Sequence, residues 1–61
     1  MGTVNWANIE SGCRLLAVMN EGGEAFSIIR DGVIEELAVS LGQARATEAV
    51  DSLVAKFRSE P

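Results

Sequence analysis

The chain has no histidine and a single cysteine, Cys13, and this removes most side-chain chemistry at once. A serine or cysteine nucleophile needs a base to take its proton, most often an imidazole. Cys13 therefore reads as a small core or interface residue. A zinc site would need ligands that the chain lacks. Lys56 is the only lysine. A catalytic lysine needs a desolvated pocket, and its neighbours Ala55 and Phe57-Arg58 do not suggest one.

The acids give no better start. Glu35 and Glu36 are adjacent, and neighbours on a strand point to opposite faces, so they cannot form a paired-carboxylate site. Glu48 and Asp51 stand three apart on an expected helix, where a solvated polar face is the plainer reading than a cation site. Gly22-Gly23 has neither the Lys-Ser/Thr nor the glycine spacing of a phosphate loop. No catalytic residue, cofactor or metal site is expected, and the chain reads as a non-enzyme.

These residues must be positioned by local elements, and the strongest local signal is Asp31-Gly32. It lies between Phe26-Ser27-Ile28-Ile29-Arg30 and Val33-Ile34-Glu35-Glu36-Leu37. An Asp-Gly pair between apolar runs predicts a two-residue hairpin turn. Ser11-Gly12 and Glu21-Gly22-Gly23-Glu24 punctuate the preceding sequence in the same way. Four strands follow, at about 3–10, 13–20, 24–30 and 33–39.

After them, Ser40-Leu41-Gly42-Gln43 matches a capping box. Ala46, Ala49, Val50, Leu53, Val54 and Phe57 then recur at helical spacing. A helix is expected over about 41–58, with Glu60-Pro61 past its end. The expected fold is α+β: one domain, an antiparallel β-meander with a C-terminal helix on one face. The alternative is an all-α bundle. Trp6, Ile9, Cys13 and Leu16 also form a helical stripe with Asn5 as N-cap and Gly22 as stop, and Ile34, Leu37, Ala38 and Leu41 form another.

The meander register assigns two faces. One carries Val4, Met19, Phe26 and Leu37 and takes the helix, with Trp6 and Ile28 beside them. On this reading Trp6, Phe26 and Phe57 are core. The outward face carries Leu16, Val18, Ile29 and Ile34. An apolar strip rimmed by polar groups marks an interaction surface, so these four residues are the expected interface.

Composition bounds the partner. Sixty-one residues carry nine acids and five bases, a net charge of −4. Phosphate neutralisation needs clustered Lys and Arg, so nucleic acid is a poor fit. No apolar run approaches the ~20 residues of a membrane span. The N-terminus lacks the basic region and apolar core of a secretion signal, and one unpaired cysteine suits the reducing cytoplasm.

A domain this small gains from a partner or from oligomerisation. The expected function is a non-catalytic protein-interaction module that self-associates, as a homodimer, through the outward face. Small phage- or mobile-element-type regulators and inhibitors share this profile. The alternatives are a single-stranded nucleic-acid-binding module of four strands plus a helix, and a structural subunit of a larger complex.

Overall fold

The computed structural model describes residues 3–60 and shows three helices: α1 over Trp6–Ala17, α2 over Glu24–Leu41 and α3 over Gln43–Ser59. There is no strand among the described residues. The α+β meander is thereby corrected to the all-α bundle, and the four strands at 3–10, 13–20, 24–30 and 33–39 are replaced by α1 and α2.

Each helix starts and stops for identifiable reasons. Asn5 caps α1: its side-chain oxygen accepts the Asn8 backbone N–H at 3.2 Å, and its carbonyl accepts the N–H groups of Asn8 and Ile9. This satisfies donors that the first helical turn leaves free. The turn after α1 is local. Asn20 Oδ1 accepts the Gly22 N–H at 3.1 Å, and the Asn20 carbonyl accepts the Gly23 N–H at 2.9 Å. The Gly22-Gly23 turn signal was therefore sound, but it joins two helices.

Between α2 and α3 the chain reverses at Gly42, whose φ of 85° lies where only glycine is at ease. Its N–H closes α2 on the Ala38 carbonyl at 2.8 Å, and its carbonyl opens α3 by accepting the Ala46 N–H at 2.9 Å. Ser40 remains inside α2 and makes no capping bond to Gln43, so α3 starts at Gln43 rather than near 41. Glu60 has left the helix, and Pro61 lies outside the described residues.

The core explains why helices prevail over strands. Ile9, Cys13 and Leu16 from α1, Ile34 and Leu37 from α2, and Ala46, Val50 and Val54 from α3 are all buried. In each helix the spacing is three or four residues, so each set lines one stripe. A fully buried Leu or Ile contributes about 1.5–3 kcal/mol. Around them pack Val4, Met19, Phe26, Ile29, Val33, Ala38, Leu41, Ala49, Leu53 and Phe57. The α3 stripe read from the sequence is entirely in or against this core. Phe26 and Phe57 join it, whereas Trp6, expected inside, is 45% exposed.

Two of the dipeptides read as turns lie inside helices. Gly12 sits where α1 crosses α2. A Cβ there would stand 2.7 Å from Val33 Cγ2, so the absent side chain lets the helices approach. Asp31-Gly32 lies within the uninterrupted α2. A glycine in a helix interior costs roughly 1 kcal/mol relative to alanine, less than one buried Ile34 or Leu37 returns.

Arg58 fastens the C-terminal end of the bundle. Its guanidinium donates to the carbonyls of Leu16, Ala17 and Met19 and pairs with Glu21. It thereby gives a donor to carbonyls at and just past the end of α1, adding to the Met19 N–H that the Leu16 carbonyl already accepts. Arg14 lies 4.1 Å from the centroid of the Phe57 ring and pairs with Glu60.

Candidate interaction surface

The four residues expected to form an interface are not brought together. Leu16 and Ile34 are core residues, with exposures of 0% and 4%. Ile29 is half-buried and packs against the core from α2. Only Val18 is on the surface, just past the end of α1. The outward sheet face that grouped them does not exist, because a helical period sends Leu16 and Ile34 inward.

A different apolar surface is present on α2. This helix buries Ile34 and Leu37 on one side, yet Ile28 and Val39 are 65% and 86% exposed on the other. Ile28, Gly32, Glu35 and Val39 are spaced by four, three and four residues, which places them along one outward stripe. Ala25 borders it and is also exposed. Gly32 is bare, and a Cβ built there would meet nothing within 4 Å. A helix apolar on opposite sides is ordinarily covered on both.

The charge around this stripe has one sign. Glu35 on the stripe and Glu24 and Asp31 along its border are all exposed. Arg30, the only base in α2, is turned toward α3. There its Nε and Nη2 donate to the two carboxylate oxygens of Asp51 at 3.0 and 2.9 Å. This bidentate bond to Asp51 holds the guanidinium pKa above its ordinary value. Asp51 is therefore engaged with α2 rather than paired with Glu48. On the α1 side of the stripe, Asn8 Nδ2 donates to both Glu36 oxygens at 3.0 Å.

At its C-terminal end the stripe opens into a small cleft of about 280 Å³. Val39, Glu36 and Ser40 line it from α2, and Val4, Asn5, Ile9 and Thr3 from the start of the chain. A larger groove of about 610 Å³ runs between α2 and α3, lined by Phe26, Ser27, Arg30, Asp51, Val54, Ala55, Arg58 and Glu21. Both guanidiniums in that groove are already paired with carboxylates, Arg30 with Asp51 and Arg58 with Glu21. The groove thus holds matched charges and leaves no excess of either sign for a ligand.

The remaining reactive groups are placed plainly. Cys13 is fully buried, and its pKa is raised by burial first, then by the nearby carboxylates of Asp51 and Glu10. A protonated thiol is a poor nucleophile. Lys56 is exposed in the last turn of α3. Among the described residues no three Cys, Asp or Glu side chains gather to hold a metal ion. None of the described helices is long and apolar enough to cross a membrane. No family model, curated protein or solved structure matches the chain, so any functional reading rests on this surface alone.

Sequence reasoning missed Ile28 and Val39. The meander register had assigned Ile28 to the face covered by the helix. The signal lay in the helical alternative: once Ile34, Leu37 and Leu41 define an inward stripe, Ile28 and Val39 fall on the opposite side.

Proposed function

We propose that this protein is a non-catalytic interaction module that works by presenting the outward face of α2 to a protein partner. One observation carries the reading: α2 has a second apolar side, with Ile28 and Val39 exposed opposite the core stripe. Burying two such side chains would contribute about 1.5–3 kcal/mol each. Apolar patches with polar rims are typical of protein-binding surfaces. A role as regulator, inhibitor or subunit of a larger assembly is compatible with such a face, and the unpaired thiol of Cys13 suits a reducing, cytoplasmic setting.

The test compares tagged wild-type protein with the Ile28→Ser, Val39→Ser double variant in capture from extracts of the source cells. Both positions are exposed, so the variant should keep its helical circular dichroism. A protein retained by the wild type and lost from the variant supports the reading. Identical capture by two equally folded proteins rejects it.

A further inference from the structure

We infer that the occupant of the α2 face is a basic amphipathic helix of another protein, rather than a second copy of this chain. The inference rests on the interaction reading above and adds the chemistry of the partner. The site is a straight stripe about three turns long with apolar Ile28 and Val39 near its ends and Gly32 and Glu35 between them, which suits an element with its own repeat of three and four residues. At its middle, Gly32 leaves the α2 backbone uncovered, with open space where a side chain would stand. Another helix can lie closest there.

Charge selects between occupants. Glu35 lies on the stripe, Glu24 and Asp31 border it on the same side, and no base lies on it. Arg30 is held by Asp51 on the far side of the helix. Two copies meeting through this face would bring six carboxylates together, from three on each copy, with no cation between them. Like-charge juxtaposition is costly, and opposite charge steers association. Glu24, Asp31 and Glu35 fall on one side of the line through Ile28 and Val39, so a helix with Leu or Ile in the centre and Lys or Arg along the flank that meets this side satisfies the apolar residues and the acids together.

The probe is a pair of 18-residue synthetic peptides that share a Leu/Ala face. One has Lys and Arg along one flank of that face and the other has Glu at the same positions. Each is titrated into the isotopically labelled 61-residue chain, with amide resonances as the readout. The basic peptide is expected to shift the signals of Ala25, Ile28, Gly32 and Val39. It should bind at least about tenfold more tightly than the acidic peptide, and the margin should shrink at high salt. In the Asp31→Lys, Glu35→Lys variant the preference should reverse.

Equal binding of the two peptides, or shifts centred away from α2, would overturn the inference. So would a homodimer at ~100 μM that dissociates on Ile28→Ser, since the face would then belong to a second copy. If capture still depends on Ile28 and Val39 while the basic peptide fails to bind, the interaction reading stands and the basic partner falls.

Discussion

Gly12 and Gly32 both stand inside helices, and each follows a short polar residue that makes it look like a turn. Their surroundings are opposite. At Gly12 a methyl group would run into Val33, so the missing side chain sets the distance between α1 and α2. At Gly32 a methyl group would meet nothing within 4 Å. The first glycine is explained by a contact inside the bundle. The second is a cost that the isolated bundle does not require, on a face that also exposes Ile28 and Val39. Where local preference and internal packing disagree over a residue, the reason is best sought outside the isolated chain.

The contrast between inward and outward faces of α2 is broken most sharply by charge. Ile34→Asp would place a carboxylate in the core, where an unpaired buried charge costs roughly 3–5 kcal/mol. Urea unfolding should show a loss large enough to leave much of the variant unfolded. Ile28→Asp, only six residues earlier, should keep the fold and lose less than about 1 kcal/mol, chiefly helix propensity. Similar losses at both positions would contradict the assignment of faces.

The close approach at Gly12 gives the next effect. Gly12→Ala gains helix propensity but must displace Val33 or part the helices. Overpacking of this kind costs about 1–3 kcal/mol against a propensity gain of about 1 kcal/mol. A net loss is expected, relieved in the Gly12→Ala, Val33→Ala double variant. Additive losses in the double variant would show that the two residues do not meet.

Cys13 tests burial at the same helix by pH. Its thiol pKa is raised in the folded protein, first by burial and then by Asp51 and Glu10. The folded state therefore holds the thiol proton where the unfolded chain releases it. That contribution is complete below the thiol pKa of the unfolded chain and is lost as pH rises through the folded value. Unfolding free energies measured from pH 7 to 10 should fall more for the wild type than for Cys13→Ala. A parallel decline in both proteins would mean that the thiol is not buried.

Much of this architecture was legible in the residues. The α3 stripe from Ala46 to Phe57, the Asn5 cap and the stripes through Ile9, Cys13 and Leu16 and through Ile34, Leu37 and Leu41 were all visible. The weighting misled. Asp-Gly and Ser-Gly favour turns locally, but the preference amounts to about 1 kcal/mol per glycine. Long-range burial exceeds that, and no local window shows it. Short apolar runs such as Ile28-Ile29 and Val33-Ile34 fit either period, since each has one residue for each side.

The surface was harder to read. Leu16 and Ile34 looked available only because a sheet has two faces and one helix can cover one of them. Val18 alone of those four is well exposed. The acids near Ile28 acquire a common side only in the helical register of α2, which turns Arg30 toward Asp51 and leaves Glu24, Asp31 and Glu35 on the outward side.

The central claim is that residues 24–41 form one helix whose outward side is open in the free protein. Gly32→Ala tests it most directly, with Gly12→Ala as the internal reference. In a helix with open space at Gly32, alanine should raise the unfolding free energy by about 0.5–1 kcal/mol, while the change at Gly12 lowers it. A loss of stability at Gly32 would contradict the account, because it is what a turn with positive φ at that glycine, or a face already covered within the chain, would give.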